Sequence, residues 1–76
     1  MTNKETLDRL RWRAACALDA TMAVDERGPR TLMARARLAA WLDGAAPPGS
    51  VNADVAWLER VARNAARASA RAQRAA

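Results

Sequence analysis

The chain contains no histidine, tyrosine or phenylalanine, and it has a single cysteine among its 76 residues. With no His and only Cys16, the usual His/Cys zinc site cannot be assembled, and a nucleophilic thiol would lack a base. One cysteine forms no internal disulfide, so an intracellular, cytoplasmic location is the expectation. The three glycines, Gly28, Gly44 and Gly49, lie apart in breaker segments, and none builds a phosphate-cradling loop. The eight carboxylates are scattered among arginines with no pair suited to acid–base work. These missing parts predict a non-enzyme with no cofactor, no metal and no small-molecule substrate. Long apolar runs are missing too. Asp8, Arg9, Arg11, Arg13 and Asp19 interrupt the amino-terminal segment, which argues against a signal peptide, and no run approaches membrane-spanning length.

Large aliphatic residues are also scarce. Leu and Val supply 11 residues and Ile none, whereas alanine supplies 21. Alanine is the best helix former, and three tryptophans provide bulk that the aliphatics do not. The composition therefore predicts an all-α protein of close-packed, Ala-rich helices wedged by indole rings. So small a core suggests that part of the stability comes from a second copy or a partner.

Breakers divide the chain into three segments, which predicts a single helical domain over residues 1–76 with helices over about 3–24, 29–43 and 52–75. Thr2 and Glu5 have the spacing of a capping box. On the first helix Leu7, Leu10, Ala14, Ala17, Leu18 and Met22 share one face, and Trp12, Cys16, Ala20 and Ala23 form a second. Two apolar faces predict that both are covered, by another helix or by another chain. Gly28, suited to a left-handed turn, precedes Pro29 at the start of the second helix. That helix reads as the most buried, with Leu32, Met33, Ala36, Ala39 and Ala40 on one side and Ala34, Leu38, Trp41 and Leu42 on the other. Only Arg30 and Arg37 mark a polar strip. Gly44 closes it before a connector containing Pro47 and Pro48. Ser50 or Asn52 caps the third helix, with Asp54 in its positive first turn. Val55, Leu58, Val61, Ala62, Ala65, Ala68, Ser69 and Ala72 form its inward face, with Trp57 at the edge. At about 36 Å it outreaches the second helix, at about 22 Å, so its last turns overhang.

The basic residues are 12 arginines and one lysine against eight acids, for a net charge of +5. On the third helix Arg60, Arg63, Arg67, Arg71 and Arg74 recur at spacings of three, four, four and three, which lines them along one stripe. Glu59 is placed to pair with Arg63 at i, i+4. Residues 1–28 are net neutral, residues 29–50 net +2 and residues 51–76 net +3. The stripe fits a phosphate backbone or an acidic protein groove, or is a solvated face beside a helix carboxyl end. Nucleic acid is disfavoured because no Tyr or Phe is present to stack on bases and the tryptophans read as internal, and a helix-turn-helix because the second connector is long and Pro-rich. Alanine past Val61 inserts weakly into lipid, which disfavours a membrane surface.

Trp12, Trp41 and Trp57 fall one per helix, the pattern of three helices sharing a core. Trp12 is alternatively an interface anchor, with Cys16, Ala20 and Ala23 allowing close helix approach. Cys16 reads as a small buried residue. The fold expected is a three-helix bundle with a long Arg-faced carboxy-terminal helix, dimeric through its first and third helices. The function expected is that of a small accessory binding protein, an adaptor or inhibitor of the kind a phage or plasmid encodes. It would act through protein–protein interaction or self-association. The alternative is a nucleic-acid-binding protein that contacts phosphates through the stripe.

Overall fold

Three helices form where the breakers permit. In the computed structural model, which describes residues 3–75, α1 spans Asn3–Thr21, α2 Pro29–Leu42 and α3 Val51–Ala75. No strand occurs among the described residues, and none of these helices is long and apolar enough to cross a membrane. The proposed Thr2 cap lies outside the described residues.

Each helix end has a local cause. α1 stops three residues short of the expected Val24. The Thr21 hydroxyl donates to the carbonyls of Ala17 at 3.0 Å and Leu18 at 3.1 Å. Arg35, reaching over from α2, donates to the carbonyls of Thr21 and Val24. Carbonyls that a longer α1 would have bonded internally are thus satisfied by a guanidinium. Gly28 is not left-handed as expected. Its φ is −59°, its N–H donates to the Glu26 carboxylate at 2.8 Å, and Pro29 opens α2 behind it. At the far end of α2, Gly44 takes φ +110°, its N–H donates to Trp41 at 3.1 Å, and that of Ala45 donates to Ala40 at 2.9 Å. This is a Schellman ending, which only a glycine forms without strain.

The three helices pack pairwise against one another. Arg13 of α1 meets Glu59 of α3, and Cys16 and Ala20 share a groove with Ala62 and Arg63, so α1 and α3 run parallel. α2 runs against both, because Arg37 meets Asp54 whereas Thr31 meets Trp57 farther along α3. Ala14, Ala17, Ala34, Leu38, Trp41, Val51, Val55 and Leu58 form the core, flanked by Leu10, Leu18, Leu42 and Trp57.

Each helix of such a triangle has one inward face, because covering a second face would take a fourth helix. No helix of the same chain therefore covers the second apolar face of α1, and expectations are corrected on each helix. On α1, Trp12, Cys16 and Ala20 are exposed, as are Ala23 just beyond it and Met22, which was expected in the core stripe. On α2, Leu32, Met33, Ala36, Ala39 and Ala40 are exposed, so it is not covered on both sides. On α3, Ala68, Ser69 and Ala72 are exposed rather than inward, because α1 and α2 do not reach them. Every residue over 66–75 is exposed, a projection of about 15 Å at 1.5 Å per residue. It contributes to a long axis of 48 Å against 28 and 17 Å in the other directions.

Candidate interaction surfaces

The inward face of α3 carries an ionic network that helical spacing alone does not reveal. Asp54 is buried, and its two carboxylate oxygens each accept a hydrogen bond from Arg37 of α2 at 2.9 Å. The Ser50 hydroxyl donates to it as well, at 2.9 Å. These hydrogen bonds, Arg37's first, hold the Asp54 carboxyl below its ordinary value against the burial that would raise it. The sequence did contain a signal, since Asp54 falls in the same helical phase as Val51, Val55, Leu58 and Val61. A carboxylate in an apolar stripe needs a partner. Ser50 serves this network through its side chain.

The tryptophans divide into three environments. Trp41 is 2% exposed in the core, with the Arg11 guanidinium 5.7 Å from its ring centre. Trp57 is half-buried, donates through Nε1 to the Thr31 hydroxyl at 2.9 Å, and has Arg30 stacked 4.2 Å above its ring. Trp12 is 72% exposed. The expectation of one shared Trp core therefore fails for Trp12, whose helical phase is nearly opposite that of Ala14 and Ala17. The same phase carries Cys16 outward, so the reading of Cys16 as buried is also corrected.

Arg60, Arg63, Arg67, Arg71 and Arg74 are all exposed. Glu59 does not pair with Arg63. It accepts hydrogen bonds from Arg13 of α1 at 2.8 and 3.4 Å, which ties the two parallel helices together. Among the described residues none of the five arginines has an ion-pair partner.

An open groove of about 330 Å³ between α1 and α3 is lined by Cys16, Ala17, Ala20, Glu59, Ala62 and Arg63. It joins Cys16 and Ala20 of the first candidate surface to Arg63 of the second. Trp12, Ala23, Arg67, Arg71 and Arg74 lie outside it. Arg60 lines a separate cleft of about 300 Å³ with Trp57, Asn64, Val24, Asp25 and Glu26. Compared with known proteins, the chain matches no family model, no curated protein and no solved structure. The functional reading accordingly rests on its own geometry.

Proposed function

We propose that this chain is a small accessory binding protein, an adaptor or inhibitor, that acts by occupying a macromolecular partner through the outer face of α1. The observation that carries this reading is Trp12, 72% exposed on a helix whose core contacts do not involve it. A Trp side chain offers roughly 150–250 Å² for burial, a gross gain of about 4–6 kcal/mol before association entropy is subtracted. Trp and Arg are the residues most enriched at interface hot spots, and Arg9 and Arg13 flank Trp12 on the α3 side. Cys16 and Ala20 leave room beside it for a partner's side chains.

The test is retention of binding proteins from an extract of the source cells by the immobilised full-length chain. A specific set is expected on the wild type and absent from Trp12→Ala, with both chains equally helical by circular dichroism. Equal retention by the two chains removes Trp12 as the anchor.

A second reading, phosphate binding through the arginine stripe, is favoured by five exposed guanidiniums with no carboxylate partner among the described residues. It predicts duplex-DNA affinity with a log–log salt slope approaching about −4 if all five contact phosphate. A flat salt response, or binding unchanged in Arg67→Ala/Arg71→Ala/Arg74→Ala, overturns it.

A further inference from the structure

We propose that the outer face of α2 is a self-association surface, on which a second copy of this chain lays its own α2 antiparallel about a two-fold axis at Ala36. The proposal stands apart from the Trp12 reading, because Trp12 lies on another helix and the contact leaves it uncovered.

It starts from where charge is missing. The chain is 28% charged, and the outer faces of the other two helices reflect it, with Asp8 and Asp19 exposed on α1 and five arginines on α3. On α2, Pro29, Leu32, Met33, Ala36, Ala39 and Ala40 are all exposed and fall within a sector of about 120° at about 100° per residue. No charged side chain interrupts that sector before Asp43, at the end of the helix. Leu32 is 48% exposed and Met33 55%. The cations bordering the sector turn back into their own bundle, Arg35 to the carbonyls of Thr21 and Val24 and Arg37 to the Asp54 carboxylate. What remains is a continuous apolar strip about 16 Å long.

The order of side chains along the strip identifies its occupant. Bulk is confined to the amino-terminal half, in Leu32 and Met33, whereas the carboxy-terminal half has only Ala39 and Ala40. A strip that runs from large to small is complementary to its own reverse. With Ala36 of both copies at the axis, positions equally far on either side of it stand level. Helical phase then brings Leu32 of one copy against Ala39 of the other, and Met33 against Ala40. The bulky pair fills the hollow over the small pair at both ends. Alanine at the centre lets the two helices approach to about 8 Å, the close end of ordinary helix packing.

The ends match in charge. In this register Asp43 of each copy stands level with Pro29 of the other, at the positive amino end of that helix. That end has no acidic residue in its first turn and no side-chain hydrogen bond at its Gly28 cap. Asp43 is exposed and has no ion-pair partner among the described residues. Each copy thus supplies the negative group that the other's α2 lacks. The inward face of α2, where Ala34, Leu38 and Trp41 are buried, keeps all its contacts. The isologous geometry uses both strips and ends at a dimer. One face of a 14-residue helix is a small area, so the expected affinity is no tighter than about micromolar.

The test is solution mass of the full-length chain by sedimentation equilibrium and light scattering, in a concentration series reaching about 1 mM. The wild type is expected to approach twice the 8.2 kDa of one chain. Ala36→Glu sets two carboxylates against each other at the axis and should keep the chain monomeric throughout. It should remain equally helical by circular dichroism, since the position is exposed. Leu32→Ala/Met33→Ala should weaken dimerisation at least about tenfold. Asp43→Asn should weaken it about three- to tenfold at low salt, an effect that added salt removes. Trp12→Ala should leave the dimer unchanged. The register is read by cross-linking, since Ala36→Cys in a Cys16→Ser background should form a disulfide between copies on mild oxidation and Ala56→Cys in that background should not. A wild type that stays at 8.2 kDa, a dimer that survives Ala36→Glu, or cross-linking no faster at position 36 than at 56 overturns the proposal. Dimerisation lost in Trp12→Ala moves self-association to α1 and overturns it as well. A monomeric wild type whose retention of extract proteins is lost in Ala36→Glu gives the strip to a different protein and rules out the second copy. Retention by a monomer that is lost only in Trp12→Ala sinks the dimer and leaves the Trp12 reading standing.

Discussion

Asp54 is the residue on which the stability of the bundle depends most directly on pH. Its carboxyl is held below its ordinary value in the folded chain, so its contribution is fully present above the unfolded carboxylate value of about 4. It is lost as pH falls through the lower folded value, because the unfolded state then binds the proton first. Asp54→Asn should destabilise the chain by about 1–2 kcal/mol near neutrality, the worth of charge-assisted hydrogen bonds reduced by screening where Arg37 is open to water. In urea titrations the gap between variant and wild type should narrow below pH 4; a constant gap would show that the Arg37–Asp54 pair carries no net stability. The tryptophans give the complementary expectation. Trp41→Ala empties a site in the core and should cost about 3–5 kcal/mol, whereas Trp12→Ala should change stability by less than about 0.5 kcal/mol. Equal thermal shifts for the two would contradict the exposure of Trp12. At this scale the sequence was only partly legible. Arg37 and Asp54 are 17 positions apart, a separation at which no helical period links them, and their meeting depends on how α2 crosses α3. Glu59 faced a local candidate in Arg63 and a distant one in Arg13, and spacing rules see only the local one.

At the scale of the element, helix existence was written in the breakers, since Gly28, Pro29, Gly44, Pro47 and Pro48 leave three intervals that a helix can fill. Which face turns inward was not, because alanine populates both sides of α1 and α2 and makes a wheel nearly isotropic. Ala14 and Ala17 are buried while Ala20 and Ala23 are exposed, a difference imposed by packing rather than by residue type. The end of α1 depends on Arg35, which belongs to another helix. Arg35→Ala should therefore speed amide exchange around residues 22–24 with little effect on α3. The projecting turns of α3 have a different basis. With no neighbouring helix, residues 66–75 keep their form through alanine propensity and continuity with the packed turns before them. In the monomer their amides should exchange orders of magnitude faster than those of Leu58 and Val61, because local opening there breaks no tertiary contact. Uniform protection along α3 in a dilute sample would show that something else supports the projection.

For the whole molecule, the exposures of the three indoles provide a readout that separates its two candidate surfaces. In the monomer Trp12 is open to solvent, Trp57 half-buried and Trp41 enclosed, so collisional quenching by acrylamide should come mainly from Trp12. A neutral quencher is needed because the arginines would concentrate an anionic one. If a protein partner covers Trp12, quenching should fall as the partner is added. Added salt should weaken that contact only moderately, because burial of the indole is not screened. Phosphate binding through the stripe has the opposite signature. Duplex DNA at low salt would engage the arginines and leave Trp12 as accessible as before, and the complex would dissociate steeply over the range in which counterion release acts. Quenching that falls as DNA binds would mean that the contact lies over Trp12 and not along the stripe, and the phosphate reading would have to be abandoned.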